Sequence, residues 1–322
     1  MAPRRPYAYF ALVWVVALLN GCAGTLQADR LSTNQFPRSV ELIEVPFFPQ
    51  EDYQCGPAAL ATLINWSGTP TTPEALVPQV YVPAREGSLQ VEMVAAARRQ
   101  GLLPYVLKPE LAALMTEIAA GNPVMVLQNL GLSWHPTWHY AVVVGFDLPQ
   151  REIILRSGTR KRYVAPLSLF ERTWARSQYW ALVVMPPDKL PATAEELSYL
   201  EAVLGLEQLQ LWQPANRAYA AALSRWPDSL SAQIGLGNTR YASGDKDGAE
   251  AIFRQATLDH PDAAAAFNNL AQVLVEQGRL GEAAEAAQRA VTLGGPLLKT
   301  YENTLNQIQQ RQRGSAGSPV AQ

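Results

Sequence analysis

The spacing of apolar and polar positions divides the chain into two unlike halves. In the first, apolar residues recur at helical spacing before they alternate as strands. Ala58, Ala59, Leu60, Ala61, Leu63 and Ile64 form a helix-forming run that ends near Ser67-Gly68. Leu89, Val91, Met93, Val94 and Ala97 predict a second helix over 88–100, stopped by Gly101, and 109–120 reads as a third. Strand-like runs follow at Val124 to Gln128, His139 to Phe146, Glu152 to Arg156 and Tyr179 to Met185. Helices first and antiparallel strands later is an α+β pattern, expected over 42–187.

Pro186-Pro187-Asp188-Lys189-Leu190-Pro191 has the composition of a linker, placed at 188–193. Behind it the chain becomes alanine-rich and repetitive. Pro227 and Pro261, Leu236 and Leu270, Gly244 and Gly278, Ala249 and Ala283, and Ala256 and Ala290 are each separated by the same interval. That interval, with small residues at those places, resembles the tetratricopeptide signature. Projected backwards it reaches Ala202, Ala215, Tyr219 and Ala222, a degenerate first repeat over about 194–227. The expectation is an all-α tetratricopeptide-repeat solenoid of about three repeats over 194–312. Residues 296–312 would form its capping helix and 313–322 a disordered tail.

Apolar residues make up 48% and charged residues 17% of the 322, so there is core material for about two domains. A net charge of -2 and the lack of a basic stripe argue against a nucleic-acid surface. GxGxxG, P-loop and paired-cysteine metal motifs are absent, and no metal or cofactor is implied. The run Arg156 to Arg162 reads as a solvated hairpin end.

The N-terminus changes this picture. Arg4 and Arg5 precede an apolar stretch from Tyr7 to Leu19, then Asn20-Gly21-Cys22. Residues 1–21 read as a secretory signal. Leu19-Asn20-Gly21-Cys22 resembles the bacterial lipobox, whose cysteine is acylated after cleavage. The resemblance implies an exported protein anchored to the membrane by lipid at Cys22; Ala23 favours the outer membrane. Residues 22–41 show no period and read as a tether. Only two cysteines exist, so lipid on Cys22 leaves Cys55 without a disulfide partner.

Cys55 follows Val45-Pro46-Phe47-Phe48-Pro49-Gln50 and a polar turn, and opens the first helix. Unpaired N–H groups and the positive dipole end there favour a thiolate. A thiolate nucleophile needs a base, a group that orients it, and an oxyanion donor. Of three histidines, His139 opens a rigid apolar strand. Alternation puts His139, Ala141, Val143 and Gly145 on one face, and the small residues leave room for an imidazole to reach a helix. His135 sits in a loop, and His260 in a repeat connection. The orienting group is expected on the returning strand, at Ser157 or Thr159, with Ser157 the better candidate. Asp147, ~26 Å along from His139, reads as a turn residue. Gln50, five residues before Cys55, is placed to donate to an oxyanion beside the Cys55 N–H, and Gln54 less so. Trp134 and Trp138 flank His139 and are candidate substrate-lining residues.

Pro46-Phe47-Phe48-Pro49-Gln50…Cys55-Gly56-Pro57-Ala58-Ala59-Leu60 with Trp138-His139-Tyr140-Ala141-Val142-Val143-Val144-Gly145 resembles the papain-like cysteine peptidases that process bacteriocin leaders at double-glycine sites. Their stand-alone relatives, lacking the transporter, are the nearer likeness. The resemblance implies a papain-like cysteine peptidase domain of α+β fold, cleavage through a thioester, and no metal. Carried over, Gln50 matches the oxyanion glutamine, Cys55 the nucleophile and His139 the base. Two departures stand out: Gln50 is one residue closer to the cysteine than usual, and Ser157-Gly158 replaces the common Asp-Pro.

Three functions follow as expectations. The first is an envelope cysteine peptidase acting on a peptide or protein substrate, with the repeats recruiting substrate or partner. The second is a lipid-anchored scaffold whose peptidase-like domain only binds peptides, motivated by Ser157. The third is a thiol transferase or amidase on peptidoglycan stem peptides, built on the same residues.

Overall fold

The computed structural model describes residues 25–49 and 55–316. A short helix α1 (Gln27–Arg30) and strand β1 (Ser39–Glu41) come first, then α2 (Cys55–Trp66), α3 (Pro73–Val80), a β2–β3 ribbon (Tyr81–Val82, Gly87–Ser88) and α4 (Gln90–Arg99). The sheet is then built from β4 (Leu103–Val106), β5 (Val124–Asn129), β6 (Trp138–Asp147), β7 (Glu152–Ser157), β8 (Arg160–Pro166) and β9 (Ala181–Met185). Helices α5 (Leu111–Ala119) and α6 (Leu167–Ala175) interrupt it. Strand order is β4-β9-β5-β6-β7-β8, with β1 pairing antiparallel to the far end of β6.

Both faces of the sheet are covered. Met125, Leu127, Tyr140, Val142 and Val144 pack with Leu60, Leu63 and Ile64 of α2 and Met93 of α4. Val124, Val126, Ala141 and Val143 face the opposite way, toward Leu114, Met115, Phe170 and Trp174 of α5 and α6. Double coverage explains why the central strands read as continuous apolar runs. A bulge between Val143 and Gly145 reverses the alternation beyond it, so the expected face containing His139, Ala141, Val143 and Gly145 is broken. Moreover, the Cys55 helix lies on the Tyr140–Val142–Val144 face, not on the small-residue face.

Residues expected to be a tether are docked. Buried Glu171 accepts hydrogen bonds from the backbone N–H groups of Gln27 (2.5 Å) and Ala28 (2.8 Å), and Gln27 Oε1 accepts from Leu111 N. Ala28 is buried, and Leu31, Phe36 and Val40 pack against the core; with only these scattered apolar residues the segment shows no period.

Helices α7 (Glu196–Glu207), α8 (Trp212–Arg225), α9 (Leu230–Ala242), α10 (Lys246–Asp259), α11 (Ala264–Glu276) and α12 (Leu280–Leu293) form three antiparallel pairs, capped by α13 (Leu298–Ala316). Equivalent turns after α9 and α11 use Gly244 (φ 86°) and Gly278 (φ 78°), a left-handed conformation that glycine adopts without strain. The helix continues to Ala316, three residues past the expected start of the tail at 313, and 317–322 lie outside the described residues.

The connection between the halves is pinned. Fully buried Glu117 accepts from Ala192 N (3.2 Å), Thr193 N (2.7 Å), Thr193 Oγ1 (2.6 Å) and Asn122 Nδ2 (2.7 Å). Tyr199, Val203 and Leu206 of α7 belong to the same apolar cluster as Leu103 and Tyr105 of β4, so sheet and first repeat share one core. At Gly205 a Cβ would lie 2.2 Å from the Arg98 guanidinium, so this helix approach needs the missing side chain.

Candidate active site

Cys55 is the first residue of α2, half-buried and with a free thiol. Its helix runs close to the ribbon: a Cβ on Gly56 would meet Met93 Cε at 2.3 Å and Ser88 Oγ at 2.6 Å. The Tyr140 hydroxyl donates to Ser88 O (3.1 Å), tying ribbon to strand beside the thiol. The expectation that the helix terminus favours thiolate is outweighed. Burial pushes the Cys55 thiol up from its ordinary value, against the smaller opposing effect of the Tyr140, Gly56 and Cys55 backbone amides.

His139 is the second residue of β6. Its Nε2 lies 2.8 Å from Ser157 Oγ, the last residue of β7. Burial pushes the imidazole below its ordinary value. Cys55, His139 and Tyr140 line one cleft of about 980 Å³, together with Ser88 of the ribbon, His135 and Trp138. His139 also lines a second cavity of about 530 Å³ on the α6 side. The imidazole therefore stands at the end of the strand, between the two spaces. The small-residue face of Ala141 and Val143 is turned away from α2, so it is not the route from His139 to the Cys55 cleft.

Trp138 borders the cleft and is half exposed, whereas Trp134 is 80% exposed at the loop tip, where it stacks on His135. The loop is fixed. Asn129 Oδ1 accepts from Gly131 N and Thr137 N, and Arg176 Nη1 donates to Asn129 O and Gly131 O. Asp147 Oδ1 accepts from Gln150 N in the turn between β6 and β7. Gln50, Gln54 and Cys22 lie outside the described residues. His260 ends α10 in the repeats.

Arg156 corrects the reading of 156–162 as a solvated hairpin end. Its side chain is buried, and the guanidinium donates to Ile43 O (2.9 Å), Val45 O (3.3 Å), Leu42 O (3.4 Å) and Lys161 O (2.6 Å). It thereby holds the chain that leads toward Cys55. Arg160, Lys161 and Arg162 are exposed as expected. The available signal was Ile153-Ile154-Leu155, apolar on both faces, which predicts a covered position for the next residue.

Residues 42–182 match the sequence model described as Peptidase_C39 like family, and residues 200–257 and 234–296 match that of the tetratricopeptide repeat. No curated protein matches the chain. Among solved structures, a putative C39-like peptidase from Bacillus anthracis is similar at 17% identity, over 46% of this chain and 98% of its own, with a TM-score of 0.39. The peptidase domain of Streptococcus ComA, a bi-functional ABC transporter, is similar at 21% identity, over 44% and 99%, with a TM-score of 0.38. The translocator chaperone SycD of Yersinia enterocolitica is similar at 19% identity, over 36% and 83%, with a TM-score of 0.34. The chain thus carries an α+β C39-like peptidase domain over 42–182, followed by a helical region of tetratricopeptide repeats.

Proposed function

We propose that this protein is a cysteine peptidase with Cys55 as nucleophile, His139 as base and Ser157 as the residue positioning His139. The observation that carries the reading is one cleft lined by both Cys55, at a helix start, and His139, whose far nitrogen is 2.8 Å from Ser157 Oγ. Burial disfavours both thiolate and imidazolium, so the resting pair is neutral and the proton moves as sulfur attacks. The sulfur bonds to the carbonyl carbon and His139 takes the thiol proton. The carbonyl electron pair moves to oxygen, where the Gln50 amide and the Cys55 N–H are assigned as donors. Collapse breaks the C–N bond, His139 protonates the leaving amine, and water activated by His139 cleaves the thioester.

Cys22 is assigned as a lipid attachment site that holds the protein in the cell envelope, at the outer membrane facing the periplasm, and the repeats as a surface for substrate or partner. The support is the Leu19-Asn20-Gly21-Cys22 sequence and the repeat array itself. Metabolic labelling with an alkyne fatty acid tests the first: label on wild type and none on Cys22→Ser is expected, and equal label on both removes the anchor.

The decisive experiment mixes purified protein with envelope peptides and reads products by mass spectrometry. Products from wild type and none from Cys55→Ala are expected; identical spectra would remove Cys55 from any mechanism. The second reading, a peptide-binding scaffold, is favoured by one observation, the uncharged Ser157 beside His139. It predicts a stable peptide complex without turnover over hours.

A further inference from the structure

The cavity on the α6 side adjoins the cleft that holds Cys55, sharing His139 and Gly158 with it, and the mechanism proposed above places no ligand there. Leu155, Ala165 and Phe170 make its walls. Its polar lining is Gln128, which donates to Thr173 Oγ1 (2.6 Å), together with His139, Ser157, Thr159 and Arg160. Ser157 and Arg160 are direct partners across the β7–β8 hairpin, so their side chains leave the same face about 5 Å apart. The Arg160 guanidinium lies over the Tyr163 ring, 5.3 Å from its centre, which fixes it at the mouth. Among the described residues that line it, Arg160 is the one permanent charge and none is a carboxylate.

A chamber with apolar walls, polar amide and hydroxyl groups, and one cation beside a hydroxyl–imidazole pair is complementary to an apolar carboxylate. We infer that this cavity binds the carboxylate of an apolar carboxylic acid, such as the free C-terminus of a peptide ending in a branched apolar residue, between Arg160 and the His139–Ser157 pair. The bound carboxylate does there what Ser157 is unable to do. It brings a negative charge near His139 Nε2 and favours the imidazolium that forms as Cys55 gives up its proton. The activating role rests on the proposed role of His139 as base, whereas the binding site does not. The ligand is therefore an activator of the same site, either carried by the substrate or supplied free.

The test separates binding from catalysis. In full-length Cys55→Ala protein, isovalerate and its neutral isostere isovaleramide are titrated while the His139 ring Cε1–H resonance is followed. Only three histidines have to be assigned. Isovalerate is expected to shift that signal saturably, with isovaleramide at least ~10-fold weaker. Arg160→Gln and Ser157→Asp are each expected to weaken isovalerate by about 10-fold, by removing the cation or adding a like charge. Equal affinity for acid and amide, or an unchanged affinity in Arg160→Gln, overturns the inference. In wild type, a cleavable peptide with a free apolar C-terminus is expected to react about 10-fold faster than its amide. Isovalerate added in trans is expected to raise turnover of the amide, which separates the free source from the substrate's own terminus. Binding in Cys55→Ala without turnover of any peptide by wild type would discard the peptidase reading and keep the pocket.

Discussion

His139 Nε2 and Ser157 Oγ stand 2.8 Å apart, at the end of β6 and the end of β7. A hydroxyl in this position orients the ring without supplying charge. Ser157→Asp is therefore expected to raise turnover about tenfold by stabilising the imidazolium, and Ser157→Ala to lower it by a similar factor. Steady-state kinetics on one peptide across the three proteins checks this; a slower Asp variant would mean that the space admits no carboxylate.

Reactivity of Cys55 should rise late with pH. Burial lifts the thiol above 9.0, so the rate of alkylation by iodoacetamide is expected to keep climbing past pH 9. A rate already level at pH 7 would show a thiolate held by something stronger than the neighbouring backbone amides.

Stability should fall in mild acid, partly through His139. Its folded pKa lies below 6.5 while the unfolded chain titrates near 6.5, so between those values the unfolded chain binds more protons. The contribution is intact above 6.5 and is lost as pH drops from there through the folded value. Urea denaturation from pH 8 to 5 is expected to show a shallower decline in His139→Gln than in wild type.

Removing the repeats should damage the sheet. A chain ending at Pro187 strips Tyr199, Val203 and Leu206 from the core they share with Leu103 and Tyr105. Each is worth about 1.5–3 kcal/mol of burial. Such a chain is expected to aggregate or bind ANS, whereas one ending at Trp226 keeps α7 and α8 and should unfold cooperatively.

Glu117→Ala should cost about 2–4 kcal/mol, because it strands the N–H groups of Ala192 and Thr193 in a buried place. Thermal denaturation measures it; a change below about 0.5 kcal/mol would mean that water replaces the carboxylate.

How much of this was legible in the sequence depends on what each residue depends on. Periodicity suffices for α2, β5 to β7 and the repeats, because burial of a whole face sets the pattern. Cys55, His139 and Ser157 were legible because a helix start and paired strand ends are local features. Which face of β6 meets α2 was not, since a bulge after Val143 and the packing of α5 and α6 decide it. The partners of Arg156, Glu117 and Glu171 were equally hidden. Each of these residues is a buried charged residue that satisfies backbone groups from a distant segment, and no local spacing encodes such a partner. The strand β8 is hard to read because an exposed, arginine-rich edge strand has almost no apolar alternation, whereas helix α6 does carry a signal, with Leu167, Phe170 and Trp174 buried at helical spacing.

Glu171's hold on Gln27 and Ala28 sets a length scale. With the acyl group proposed for Cys22, five residues from Gln27, the leash would be at most about 18 Å when fully stretched. Moored in that way, the proposed peptidase would skim the bilayer and meet its targets by lateral diffusion, which would select for polypeptides themselves held at that surface.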